Sequence, residues 1–240
     1  MLGVGHEKTL RHYVLKIKRG SVYRGGMSNT ESRRRGSYAK GIAKREEILT
    51  RALEVIAREG YGGASVKELA AAVGLSQAGL LHYFDSKEEL FTAILRKRDD
   101  TDAAQFGPID AMTPLDITAV RTGFLGVIRH NSEVPGLVEL FSRMAADAAA
   151  PQHPAHDFFL ERGRTLRKLF IDVIAPAQST GDLSPGIDPD TLARVLQAVA
   201  DGLQLQWLLE PDIDMAAIVG ALFTALQTTP TDTAVRTARG

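Results

Sequence analysis

Apolar residues recur at helical spacing along most of this chain, and no segment shows the period-two alternation of a half-buried strand. From Lys44 to Glu59, Ile48, Leu49, Ala52, Leu53 and Ile56 form one continuous stripe, which Gly60 closes. The stretch Ser65–Ala93 then predicts three short helices, each with its own start signal. Ser65-Val66-Lys67-Glu68 has capping-box spacing: the hydroxyl accepts from the N–H three residues on, while the glutamate reaches back. Leu69, Ala70 and Val73 give a turn-spaced apolar face, and Gly74 supplies the positive-φ stop. Ser76 restarts a helix running to about Tyr83, and Ser86-Lys87-Glu88-Glu89 reads as a second capping box. Two helices joined by so few residues predict a helix-turn-helix.

The helix opened by Ser86 should reach about Ala104, with Phe106-Gly107-Pro108 breaking it. Arg96, Lys97 and Arg98, followed by Asp99 and Asp100, read as a solvated face of that helix. Further helices are predicted over Pro114–Asn131, Pro135–Ala148 and Pro154–Ala175, then a loop over Pro176–Pro185. Proline suits the first turn, where its missing N–H costs no hydrogen bond. Asp188–Glu210 is apolar on more than one side, and Asp214–Gln227 combines large residues with a stripe of small ones. Such helices need partners on both flanks. A pair of these hairpins from two copies meets that need, with Ala198, Gly202, Leu205, Ala217, Gly220, Ala221 and Thr224 at the interface. Burial of both helices in a monomer core is the competing reading. The expected fold is all-α: a basic, disordered extension over 1–41, a three-helix DNA-binding unit over 42–95, a helical effector-binding and dimerisation body over 96–228, and a disordered tail over 229–240.

Charge sharpens this division. The formal net charge is zero, yet residues 1–45 hold twelve Lys and Arg against only Glu7 and Glu31. A basic start facing a polyanion and an acidic body facing elsewhere fit that asymmetry. Arg33-Arg34-Arg35, Lys40, Lys44 and Arg45 form an arm suited to phosphate contacts that release counterions, or to simple solvation. Met27-Ser28-Asn29-Thr30 resembles a natural start, which makes residues 1–26 an extension or a misassigned beginning. The absence of cysteine excludes disulfides and thiolate chemistry. No apolar run suits a membrane span and the N-terminus is too basic for a signal peptide, so a cytoplasmic protein with no membrane partner is expected.

Candidate chemistry in the body is thin. His153-Pro154-Ala155-His156-Asp157 brings two imidazoles and a carboxylate together, but it reads better as a loop entering a helix whose dipole favours Asp157. Ser142 and Ser179 lack a His/Asp context, and no phosphate-cradling glycine loop follows a strand. No catalytic residue, metal or cofactor is therefore expected. Phe124, Phe141, Met144, Phe159, Phe170 and Trp207 are core candidates, some able to line a small-molecule cavity between helices. The acidic surplus points to an apolar or cationic organic effector.

On the second motif helix, Gln77 and His82 are placed to read base edges, and Ala78 or Leu81 to meet a thymine methyl. Ser76, Tyr83 and Lys87 suit phosphates, with Lys44, Ser65 and Lys67 at neighbouring helix starts. The run Ala70, Gly74, Leu75, Ser76, Tyr83, Phe84, Ser86, Lys87, Glu88 and Leu90 resembles the DNA-binding domain of the tetracycline-repressor (TetR) family. Its most diagnostic part is Tyr-Phe-x-Ser-Lys-Glu-x-Leu, and the match extends back over Lys44–Glu59. The resemblance implies a homodimer paired through its last two long helices. It also implies a repressor released from an inverted-repeat operator on double-stranded DNA by a small organic effector. A constitutive DNA-binding protein without effector, or an all-α enzyme or carrier with an incidental helix-turn-helix, are the alternatives.

Overall fold

The computed structural model describes residues 29–107 and 115–228. The expected extension over 1–26, the tail over 229–240 and the helix start at Pro114 lie outside the described residues. In chain order the helices are α1 (Asn29–Gly63), α2 (Val66–Ala72), α3 (Gln77–Leu81), α4 (Lys87–Phe106), α5 (Ile117–Glu133), α6 (Pro135–Asp147), α7 (His156–Thr180), α8 (Pro189–Leu209) and α9 (Met215–Ala225). No strand occurs among the described residues, only an isolated antiparallel bridge between Leu183 and Gln227.

Two expectations are corrected here. The first helix begins at Asn29, so 29–41 is helical backbone where a disordered arm was expected. Once the packed segment from Lys44 nucleates the helix, each added residue gains a hydrogen bond. Tyr38 within this extension and Ile42 just beyond it remain exposed. Gly60, at φ 74, kinks α1 near its end, a conformation that costs glycine little. The second correction is Pro176, which lies inside α7 rather than opening a loop. The helix continues one more turn, with Ser179 Oγ donating to the Ala175 carbonyl and Thr180 Oγ1 to Ala177, until Gly181 at φ 88 ends it.

Buried side chains form two clusters. The first joins Ile48, Ile56, Leu69, Leu80, Phe84, Leu90 and Ile94 to Leu137, Leu140, Phe141, Met144 and Phe158. Hence the boundary expected at 95/96 falls within α4 and within one continuous core. Gly136 makes the junction possible: a Cβ there would lie 2.4 Å from the Ile56 carbonyl oxygen and 2.7 Å from the Gly60 Cα. The second cluster holds Val120, Ile128, Phe170, Ile174, Leu192, Trp207, Val219 and Phe223, from α5, α7, α8 and α9.

Candidate nucleic-acid interface

The helix-turn-helix is built by caps and one anchor. Ser65 caps α2 with a complete capping box: its hydroxyl accepts from the Glu68 N–H and the Glu68 carboxylate accepts from the Ser65 N–H at 2.8 Å. Gly74, at φ 69, turns the chain. Ser76 caps α3 by accepting from the Gly79 N–H at 3.0 Å. The fully buried Leu80 fixes the rotation of α3, leaving Gln77, Ala78 and His82 exposed and Leu81 half-buried. The helix ends at Leu81, two residues short of the expected Tyr83; His82 is its C-cap and half-buried Tyr83 packs on the first core. Lys67 and Lys87 are exposed beside this face. Lys44 donates to the Val73 carbonyl at 3.3 Å and pairs with Glu47, so it fastens α1 to the end of α2.

Arg45, expected from the sequence as part of the basic arm, has partners within the fold that spacing did not show. Its guanidinium donates to the Tyr83 carbonyl, pairs with Glu89 at 2.8 Å and lies 4.1 Å from the centre of the Phe84 ring. Three chain segments are thereby clamped behind α3. Glu89 does not return to the Ser86 amide as a second capping box requires; it takes the Asp85 N–H at 2.5 Å instead, while Ser86 accepts from the Glu89 N–H. Burial opposes ionisation of Glu89, but the Arg45 and Asp85 hydrogen bonds outweigh it and hold the carboxyl below its ordinary value of 4.5. A sequence signal did exist: Arg45 falls three residues before Ile48, the first residue of the stripe. The stripe does not show which side chain lies across the helix.

In the body, the six candidate ligand-lining residues divide between the two clusters. Phe141, Met144 and Phe159 belong to the first cluster, with the Phe141 and Phe159 ring centres 5.3 Å apart. Phe124, Phe170 and Trp207 belong to the second, with Phe124 against Phe170 edge-on at 5.1 Å. His156 Nδ1 lies 2.8 Å from the Ala148 carbonyl and His153 Nδ1 accepts from the Ala155 N–H, so both imidazoles serve the loop before α7. The expected solvated face on α4 is also corrected. Arg98 is 4% exposed and Asp102 5%, because the other side of that turn meets α5, α6 and α7.

Along α8 and α9, Ala198, Leu205, Ala217, Ala221 and Thr224 are exposed, together with Val195, Leu209 and Ile218. Gly202 has open space where a Cβ would stand. Gly220 differs from these in facing its own chain: a Cβ there would meet Leu125 of α5 at an ordinary contact distance of 3.7 Å. Among the described residues no helix is long and apolar enough to cross a membrane.

Known proteins share both the order of these elements and the sequence of the motif. The family model described as bacterial regulatory proteins, tetR family, matches residues 48–94. A second, described as the C-terminal part of a BetI-type transcriptional repressor, matches residues 143–230. The HTH-type transcriptional repressor AcnR of Corynebacterium diphtheriae is 30% identical over 180 residues, 67% of this chain and 92% of its own. The repressor KstR2 of Mycolicibacterium smegmatis is 24% identical over 158 residues, 65% of this chain and 75% of its own. A TetR-family regulator from Rhodococcus sp. shares the fold with a TM-score of 0.60 at 22% identity, covering 77% of this chain and 98% of its own. The chain belongs to the TetR family of DNA-binding transcriptional regulators, a family of regulators rather than enzymes.

Proposed function

We propose that this protein works as a homodimeric repressor, bound to an inverted-repeat operator through the outward face of α3 and released by a small organic effector held in the body. One observation carries the DNA contact: buried Leu80 anchors α3 while Gln77, Ala78 and His82 stay exposed to solvent. A helix so presented suits a major groove, where a glutamine recognises adenine through paired hydrogen bonds. The relatives described as transcriptional repressors favour repression over activation.

Pairing is supported by a seam on α8. Val195, Ala198, Gly202, Leu205 and Leu209 recur at alternating steps of three and four residues, and Leu209 is 83% exposed. Such spacing describes a helix-on-helix contact surface, and a second copy supplies its partner. Selection of duplexes from a random pool tests the reading. The recovered site should be an inverted repeat whose half-sites are about 34–36 Å apart or a multiple of that. Recovery of single, unrepeated sites, or of no sequence preference, would count against it.

A further inference from the structure

His130 of α5 stands between two carboxylates, one at each ring nitrogen. Its Nε2 lies 3.9 Å from Asp102 Oδ1 on α4, and its Nδ1 lies 3.4 Å from Glu133 Oε2 on its own helix. Asp102 Oδ1 is buried and has no hydrogen-bond partner. Among the described residues these are the carboxylates within ion-pair distance of His130; none comes from α6, α7 or α9, which also pack on α5. Arg98 and Asp99 of α4 and Arg162 of α7 also act on Asp102. Burial raises the Asp102 carboxyl, and the charges of Arg98 and His130 oppose that shift incompletely while Asp99 adds to it.

A neutral imidazole carries one N–H and can donate to only one of these carboxylates, whereas the imidazolium donates from both nitrogens. Protonation therefore supplies the donor that Asp102 Oδ1 lacks, and a buried acceptor left unmet is costly. Charge-assisted N–H···O bonds settle at about 2.8 Å, so a movement of about 1 Å closes the Asp102 pair. The pair sits where the body grips the end of α4. Phe106, the last residue of that helix, has its ring centre 5.7 Å from that of His130. Gly123 and Gly126 of α5 leave room for it: a Cβ would lie 2.4 Å from the Phe106 carbonyl oxygen at the first and 2.7 Å from Phe106 Cδ1 at the second. Toward its start, α4 puts Leu90 and Ile94 into the core that holds Leu80 of α3, and Glu89 against Arg45. A charge change at His130 thus acts on one end of a helix whose other end positions the DNA reader.

We propose that His130 is a proton-operated tie between α4 and α5. The protonated ring donates to Asp102 and Glu133 together, fixes the body end of α4, and makes operator affinity respond to pH where imidazoles titrate, between about pH 5 and 8. This control of DNA binding rests on the operator-binding reading above and needs no organic effector. An equilibrium shifts only by the difference in a ligand's affinity for its two states, and the proton obeys the same rule. The tie is accordingly closed in one arrangement of the head and open in the other.

The test measures affinity of the full chain for a selected duplex from about pH 5.5 to about pH 8.5 at constant ionic strength, a span that covers imidazole titration. Parent affinity should change about fivefold or more over that range. His130→Gln should remove at least half of the change, with His82, exposed on α3, accounting for what remains. Asp102→Asn should remove the same part, and the double variant no more than either alone. The His130 side chain is 28% exposed, so glutamine fits there, and this variant decides if Asp102→Asn does not fold. A second measurement reads the tie without DNA. Amide hydrogen exchange in the last two turns of α4, corrected for its intrinsic pH dependence, should be slower at about pH 6 than at about pH 8 in the parent but not in His130→Gln. The proposal is overturned if parent affinity is flat with pH, if His130→Gln keeps the parent profile, or if exchange shows no change that depends on His130. A chain that binds no duplex at any pH, yet shows the exchange difference, would sink the operator-binding reading and uphold the tie.

Discussion

At the residue scale, groups that read DNA and groups that hold the reader in place respond to different measurements. Gln77 is exposed on α3 and Lys87 at the start of α4. Gln77→Ala should cost about 1–3 kcal/mol of operator affinity and relax preference at one base pair per half-site. Lys87→Ala should weaken all duplexes alike and lower the salt slope by about one, as titration at several salt concentrations would reveal. Glu89 contributes instead to stability. Its folded carboxyl lies below 4.5, so its contribution is complete above that pH and disappears as pH falls through the depressed value. Glu89→Gln should therefore flatten the acid limb of the stability profile below about pH 4.5. An unchanged acid limb in denaturant titrations would mean that the Arg45 pair contributes nothing.

At the element scale, close approach governs how the helices meet. A side chain at Gly136 meets main-chain atoms of α1 that cannot swing aside. Gly136→Ala should destabilise the fold by about 1–3 kcal/mol in urea titrations and shift the head relative to α6. Gly126 is the analogous notch for the end of α4, since a Cβ there would lie 2.7 Å from Phe106 Cδ1. On α8, Ala198 is exposed within the seam, whereas Gly220 of α9 faces α5. Ala198→Arg should give a folded monomer with weakened operator binding, and sedimentation reporting an unchanged dimer would take α8 out of the interface. Gly220→Arg would confound pairing with internal packing, so it is the poorer probe.

At the scale of the whole molecule, control requires an effector to prefer one arrangement of the paired heads. Equal affinity for both states shifts nothing. An effector that weakens operator binding tenfold must itself bind about tenfold more weakly to the operator complex, a coupling of about 1.4 kcal/mol. Calorimetric titration of free and operator-bound protein should return that same factor from both sides. The continuous core under α1, α4 and α6 provides a route, because the DNA-reading helices share buried contacts with the body.

Much of this protein was legible in the chain itself, for local reasons. Caps at Ser65 and Ser76, the stop at Gly74 and the stripe from Ile48 to Ile56 depend on residues a few positions apart. Periodicity therefore conveys the helices, their order and the exposed face of α3. Contacts between distant segments were another matter. Arg45 reaches Tyr83 and Glu89 across the fold, Gly136 meets Gly60, and Arg98 meets Asp99 beside Arg162. No spacing rule encodes those distances. The separation of Phe141 from Phe170 into different clusters, and the burial of Arg98 within an apparently solvated charge run, likewise arise only when helices pack. Local hydrogen bonding wrote the elements into the sequence; which side chains were desolvated together was decided by tertiary packing.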